Sequence, residues 1–575
     1  MSWLLGWARP YQRRLLAGDV SAGIIVAMMM VPQAMAYAMV AGLPPVAGLY
    51  ASIIPPLLYA LFGTSMTQSV GPMAIISLMT AASLAPLAVP GSTLYGVLAA
   101  QLALMAGAVL LLSGLLRVGF LANFFSRPVM SGFTLGSALL IAWGQLPALL
   151  GANAAAASTT YGGVKLHPAS MVLGIGAALL LLWARRALAG LLRRAGLPAG
   201  ACASLARLAP MLVVVVGAAL VAAGFGAGVT TIGAVPSGLP SLNLATASSY
   251  WGALLQPALL TAFMVFLISM SSAQALAQAQ SGRGVGHGGG VAHKPRANLE
   301  LVGLGVANLG SALSGGFAVT GSMSRGAVNH AAGANTPLAS IISALLLTLT
   351  LVLPHASVAL ALVPMPVLAA TIMVAVLGML ELDTWRVALR YDRSDALALA
   401  GTAGGVLVAG VEAGVVIGVL LSMGTLIWRA SRPHIAVLGR IAGSEHFRNV
   451  ERYPGGTTPA LLLLRVDAFL FFGNIDAVAA RIDDEVAARP ALRHLVLVLS
   501  AVNAIDTSAL FGLADLNGQL RARGVLLHLA EVKGPVMDRL KTADLMTALS
   551  GQVFLSAANA WDALTAPAPA SSSPL

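Results

Sequence analysis

Between Asp19 and Glu300 the chain contains no Asp or Glu at all. A water-exposed surface of that length would carry charge of both signs, because soluble domains are about 25% charged. Here charged residues make up 9% of 575 and hydrophobic residues 58%, with a mean hydropathy of +0.87. Such a stretch must be covered by lipid and by other apolar chain. The same numbers exclude a disordered protein, which needs low hydrophobicity and high charge. The net charge of +12 would by itself suit a nucleic-acid partner. The composition assigns the basic residues to membrane topology instead, so no nucleic acid is expected. One cysteine, Cys202, excludes a disulfide framework and a Cys-based metal centre.

The charge divides the chain in two. Up to residue 435 there are 20 Lys+Arg against 7 Asp+Glu, and from 436 onward 12 against 13. The expected domains are a transmembrane domain over 1–435, a soluble domain over 440–565 and a disordered Pro/Ala/Ser tail at 566–575. A spanning helix needs about 20 mostly apolar residues. Apolar segments run at 20–40, 45–62, 94–116, 128–150, 168–184, 207–226, 251–277, 297–313, 336–354, 364–381, 394–410 and 411–428. Two more, at 70–88 and 314–333, are interrupted by Gly and Pro, which makes about fourteen. Residues 1–14 are amphipathic and basic, with no short apolar run before a cleavage site, so no signal peptide is expected. Basic residues cluster at Arg9, Arg13 and Arg14, at Arg117 and Arg127, at Arg185 to Arg207, at Arg283 to Arg296, at Arg386 to Arg393, and at Arg429 and Arg432. With fourteen spans and a cytoplasmic start, all of these fall on the cytoplasmic side, as the positive-inside rule asks, and Lys165 is the exception.

Fourteen spans divide into seven plus seven, and an odd repeat is inverted on duplication. In inverted-repeat transporters the site is marked by Gly/Pro-interrupted segments at matching places in the two halves. The third segment has Ser69-Val70-Gly71-Pro72 before Met73-Ala74, and the tenth has Thr320-Gly321-Ser322-Met323-Ser324-Arg325. Each reads as extended chain followed by a helix that starts inside the membrane, with Pro72 suited to a first helical position. The alternative for Gly71-Pro72 is a kinked helix. Two half-helix N-termini would offer free N–H groups and positive dipole ends to an anion. Arg325 stands in the first turn of the second, with no acid nearby in sequence. It is either part of an anion site or a snorkelling residue near the membrane edge.

The chain resembles the sulfate permease (SulP) family of anion transporters. The resemblance rests on Asp19-Val20-Ser21-Ala22-Gly23 through Val31-Pro32-Gln33-Ala34-Met35-Ala36-Tyr37-Ala38, on Ala41-Gly42-Leu43-Pro44-Pro45, on Gly48-Leu49-Tyr50 and on Phe62-Gly63-Thr64-Ser65. It continues in Glu300-Leu301, Asn308 and the run from Thr320 to Asn329. It covers nearly the whole chain. It implies a seven-plus-seven inverted repeat with core and gate domains, an anion held between spans 1, 3, 8 and 10, and a cytoplasmic STAS domain. Carried over by position, the substrate-binding residues would be Gln33 and Tyr37 of span 1; Gly71, Pro72, Met73 and Ala74 of span 3; Ile268 of span 8; and Ser322, Met323, Ser324 and Arg325 of span 10. Met73 and Ala74 would act through N–H groups, Ser324 through hydroxyl and N–H, and Arg325 as the positive charge.

One departure from the family bears on mechanism. The eighth span of the family usually carries a carboxylate, associated with proton or sodium coupling, and then a Lys. Here Ile268 and Gln274 occupy those places. An Ile neither holds a proton nor ligates sodium. Glu300 and Glu412 remain near the membrane edge and read as helix-end or packing residues. The glycine run at 282–290 follows a span rather than a strand and so reads as a linker. His287 and His293 are too little for a metal site. No metal or cofactor is expected, and no arrangement suits an enzyme.

Beyond residue 440 the texture changes. Apolar runs at Leu461–Val466, 495–499 and 525–529 read as buried strands, with helices near 474–488, 506–522 and 534–543. Alternation of this kind makes a small α/β domain, which the resemblance identifies as STAS. In soluble relatives of that domain a Ser at the Asp506-Thr507-Ser508 turn is phosphorylated, which marks Ser508 as a candidate regulatory site. The other reading is that Asp506 caps the helix and Ser508 only lies in its first turn.

The expected function is secondary transport of an inorganic or small organic anion, sulfate first, by alternating access. Alternatives are bicarbonate or dicarboxylate exchange, an uncoupled channel, or a sensor signalling through STAS. The expected partners are the anion, the lipid bilayer, a second copy in a homodimer and a cytoplasmic partner of the STAS domain. The expected location is the cytoplasmic (inner) membrane with both termini inside. Because Ile268 replaces the coupling acid, uptake into proteoliposomes is expected without a proton or sodium gradient. Strict dependence on either, tested by collapsing each with an ionophore, would place coupling on another residue.

Overall fold

The apolar segments are helical because a bilayer leaves the backbone no water, and a helix satisfies its own N–H and C=O groups. The computed structural model describes residues 11, 13–120, 126–152, 159–161, 164–196, 202, 205–206, 208–225, 228–233, 238–240, 246–281, 294–378, 380, 382–543 and 545–566. The glycine-rich loop at 282–290, His287, His293 and the tail beyond 566 lie outside these. The chain forms two units, Met1–Ser422 and Met423–Leu575.

In the first unit every one of the apolar segments carries helix. Among the described residues seven helices are long and apolar enough to cross a membrane. Ala74–Leu84, Ala209–Ala222, Leu338–Val352 and Met365–Leu377 are shorter apolar helices. The segment at 45–62 is split into Pro45–Tyr50 and Ile54–Phe62. The amphipathic helix Leu382–Tyr391 was not foreseen from hydropathy, since Asp383, Arg386 and Arg390 interrupt its apolar residues. Packing sorts the helices into two groups. Ala297–Leu313 lies along Thr93–Leu115 and against Ile54–Phe62, while Leu16–Val40 lies along Leu338–Val352. Separately, Arg393–Ala409 and Met365–Leu377 pack on Arg127–Leu150. Thus segments one to four join eight to eleven, and five to seven join twelve to fourteen.

Two buried carboxylates, Glu300 and Asp19, and the half-buried Glu412 hold these helices together. Glu300, in the first turn of Ala297–Leu313, accepts from the Tyr59 hydroxyl (2.7 Å), the Thr64 N–H (2.8 Å) and the Thr64 hydroxyl. Glu412 accepts from Ser83 Oγ at 2.5 Å. Asp19 accepts from Asn335 N, Thr336 N and Thr336 Oγ1, tying the first helix to the chain before Leu338–Val352. Each of the three thus links two segments through hydrogen bonds, which suits the helix-end or packing role read for Glu300 and Glu412. Asn308 does similar work without charge. Its Nδ2 donates to Val319 O (3.0 Å) and its Oδ1 accepts from Val319 N (2.9 Å). It therefore supplies both hydrogen bonds that a neighbouring strand would give to the chain entering Thr320–Ser322.

In the second unit, strands run in the spatial order Val553–Phe554, Leu526–Ala530, His494–Val498, Leu461–Val466, Ile435–Arg440 and Phe447–Asn449. The four from Val553 to Val466 are parallel, and Ile435–Arg440 is antiparallel to both its neighbours. The strand Leu461–Val466 is apolar almost throughout because both faces are covered. Leu462, Leu464 and Val466 enter one core, and Leu461 and Leu463 the other. The helices Ile475–Ala487, Thr507–Ala522 and Gly534–Lys541 match the sequence reading. The two antiparallel strands and the final helix Ala557–Thr565 are additions to it.

Replacing Asn308 by Leu removes both bonds to Val319 and leaves a buried N–H and a buried C=O unpaired. At about 1–3 kcal/mol for each orphaned group, a loss of about 2–6 kcal/mol is expected. It should appear as a lower melting temperature of the detergent-solubilised protein by size-exclusion fluorescence.

Candidate anion-binding site

The two interrupted segments meet. Ser69–Gly71 and Thr320–Ser322 are three-residue strands with every residue buried. They pair antiparallel, Ser69 with Ser322, Val70 with Gly321 and Gly71 with Thr320. Non-helical backbone at membrane depth survives only where protein satisfies its polar groups, and this ladder does so. Gly321 leaves the room that Gln68 occupies: a Cβ on it would lie 1.4 Å from Gln68 Nε2 and 2.7 Å from Ser269 Oγ. Each strand feeds a short helix, Ala74–Leu84 from one end of the ladder and Met323–Ala331 from the other. Both helix N-termini are thereby gathered beside the same two strands.

The two starts differ in capping. Ser322 caps the second, with Oγ accepting from Arg325 N at 3.4 Å. The first has extended Met73 at its cap position and no side-chain acceptor. Its first-turn N–H groups therefore remain available to a ligand. Pro72 corrects the sequence reading: it precedes the cap rather than opening the helix, and it contributes its carbonyl.

That carbonyl receives Arg325. Nη1 donates to Pro72 O at 2.8 Å across the two halves of the repeat. Arg325 is only 2% exposed, so it does not snorkel. Its Nε and Nη2 are buried without hydrogen-bond partners, and it has no ion pair among the described residues. A buried, uncompensated charge costs several kcal/mol. An anion accepting from Nε and Nη2 would supply both the missing bonds and the counter-charge. Gly71 lies beside the guanidinium: a Cβ there would meet Met30 Cε at 2.6 Å and stand in ordinary contact, 3.5 Å, with Nη2.

The remaining candidates divide. Tyr37 is buried in one cluster with Ala74. Gln33 is half-buried on the same helix, and its Oε1 has no hydrogen-bond partner. Its amide also carries two donors suited to an anion. Ile268 is buried in the helix Trp251–Ser281, which packs against the Thr320–Ser322 strand. Its neighbour Ser269 receives Gln68 Nε2, at 2.5 Å to Oγ. Thr320 Oγ1 donates to Val265 O at 2.9 Å. Met323 and Ser324 are exposed, and Ser324 Oγ lies 3.2 Å from Ser322 Oγ. Three contributors escaped the sequence reading. Gln68 and Ser269 brace the strand, and Asn329, one turn after Arg325, donates to Thr67 O at 2.9 Å. A polar residue three positions before Gly71, at the entry to the interrupted segment, was the available signal for Gln68.

Two short helices that start beside a buried arginine, in a unit of apolar helices, suit a membrane anion transporter, and the family comparisons show that class. Residues 16–402 match the sulfate permease family and residues 454–560 the STAS domain. A Mycobacterium tuberculosis protein named "probable sulfate transporter" is 36% identical over 94% of this chain and 95% of its own. Arabidopsis thaliana "sulfate transporter 4.1, chloroplastic" is 31% identical over 96% of this chain and 79% of its own. Among solved structures, the murine Solute Carrier 26 family member A9 anion transporter, in the inward-facing state, superposes with a TM-score of 0.82 at 20% identity. That match covers 98% of this chain and 94% of the other. The transmembrane domain of a cyanobacterial bicarbonate transporter gives 0.56 at 21% identity, over 72% of this chain and 98% of the other. The chain belongs to the sulfate permease family and carries a C-terminal STAS domain.

If Arg325 holds the anion, Arg325→Ala should weaken anion binding at least tenfold in a calorimetric titration of purified protein. Unchanged affinity would remove Arg325 from the site.

Proposed function

We propose that the protein transports sulfate, held where the Ala74–Leu84 and Met323–Ala331 helices start. The observation that carries this reading is the buried Arg325 guanidinium with Nε and Nη2 unpartnered. Met73 and Ala74 would add backbone N–H groups from the uncapped helix start. Gln33, Tyr37, Ser322 and Ser324 would frame the anion, and Ile268 would give it an apolar wall. Sulfate is favoured because relatives that align over almost the whole chain bear that name. Alternating access would come from the first packing group (segments one to four and eight to eleven) rocking against the second. Fourteen crossings, with both termini on the cytoplasmic side of the inner membrane, fit the distribution of basic residues.

The protein is proposed to work as a homodimer, with the STAS domain at 440–565 open to a cytoplasmic partner. Ser508 is exposed in the first turn of Thr507–Ala522. Asp506 caps that helix, accepting from Ala509 N at 2.8 Å and from Phe472 N at 2.9 Å. A phosphate on Ser508 would stand at this helix start, so Ser508 is a candidate for regulation.

Purified protein in liposomes, screened with sulfate, bicarbonate, chloride and dicarboxylates, tests the reading. Saturable sulfate uptake that the other anions compete with poorly is expected. Preference for another anion would displace sulfate, and a large current without saturation would favour the uncoupled conduit that Ile268 keeps open.

A further inference from the structure

We infer that the STAS unit holds a second anion site, separate from the transport site and suited to a phosphomonoester. An open pocket of about 470 Å3 lies among His434, Arg448, Arg452, Tyr453, Arg465 and Asp467. Three neighbouring strands build it. Arg448 sits in the edge strand Phe447–Asn449, His434 directly precedes Ile435–Arg440, and Arg465 lies in Leu461–Val466. The turn that follows the edge strand is fixed by Asn449. Its carbonyl accepts from Arg452 N (3.1 Å) and Tyr453 N (3.0 Å), and its Oδ1 accepts from Glu451 N (2.9 Å). Arg452 and Tyr453 are thereby folded back to the pocket.

The charge balance points to the ligand. Asp467 is the one carboxylate in the lining, and it is already saturated. Arg465 grips it through Nε (2.5 Å) and Nη2 (3.1 Å), and His434 Nδ1 lies 2.9 Å from Oδ2. Burial alone would raise this carboxyl, but the bonds from Arg465 and His434 outweigh it and hold Asp467 below the usual range. It therefore stays charged and is spent on Arg465. Arg448 and Arg452 have no carboxylate partner among the described residues. Glu451, exposed in the same turn, does not line the pocket. The sequence beyond 435 is nearly neutral overall, so this cationic concentration is local. Two free guanidinium forks facing one space match a phosphate dianion, which accepts bidentate bonds. Tyr453 adds a hydroxyl and an aromatic face.

Two sources carry that chemistry. His434 comes three residues after the helix Val411–Ser431 ends, and that helix closes on Trp428 with Arg432 stacked 4.1 Å over its ring. An aromatic and a cation so placed are typical of a membrane interface, so a lipid headgroup lies within reach along the chain. A soluble phosphomonoester is the other source.

Full-length protein carrying Arg325→Ala, which removes the transport-site cation, is reconstituted in phosphatidylcholine nanodiscs. One arm titrates glycerol 3-phosphate by calorimetry. The other compares melting temperature with and without phosphatidic acid in the nanodisc. Binding or stabilisation in at least one arm is expected, and the responding arm identifies the source. Adding Arg448→Ala and Arg452→Ala, both at exposed positions, should raise the dissociation constant at least tenfold or abolish the melting shift. On an otherwise wild-type background the same pair should leave the elution profile and anion uptake unchanged. No response in either arm, or a response that survives loss of both arginines, overturns the site.

Discussion

A single cation buried at membrane depth organises the transport unit. Arg325 cannot reach water and has no carboxylate to pair with among the described residues, so its surroundings must do what a counter-ion normally does. Pro72 O takes one N–H of the guanidinium, the ladder of two short strands satisfies the backbone around it, and an uncapped helix start lies beside it. Each of these provisions is weak alone. Together they keep a charge in an apolar body while leaving part of its hydrogen-bonding capacity free. That residual capacity is what a transported anion can use.

The same contacts join the halves of the repeat. Ser69–Gly71 pairs with Thr320–Ser322, Asn329 reaches Thr67, and Gln68 reaches Ser269. The site is thus built across segments far apart in sequence, and its parts are fastened to one another. Asn308 and Ser311 hold the chain entering the second strand, through Val319 and through Phe317 O at 2.6 Å. The junction therefore has the character of a braced unit rather than of two loops that happen to meet.

Much of this could be read in the sequence because the bilayer is a strict solvent. Twenty-residue apolar runs, a lone Arg among them and Gly/Pro breaks at matching places are together compatible with few folds besides a bundle of spanning and broken helices. The strand pairing could not be read, since a three-residue strand carries no periodicity and the partner lies some 250 residues away. Pro72 was misplaced by two residues because Pro is equally at home just before a helix cap. Gln68 and Ser269 were missed because their contact depends on tertiary approach. In the STAS unit the buried parallel strands stood out as apolar runs. Phe447–Asn449 did not, because an edge strand of three residues with Arg448 and Asn449 has no such run.

The unpaired Arg325 also has an electrical consequence. If Arg325 holds the anion, with no acidic group paired to it among the described residues, the site by itself carries one positive charge, and a divalent anion leaves it with one negative charge. Neither the loaded nor the empty movement would then be electrically silent. Each would carry about one elementary charge through whatever fraction of the field the site crosses. A full crossing amounts to about 2.3 kcal/mol per 100 mV. The membrane voltage would bear on both halves of the cycle, and in opposite senses.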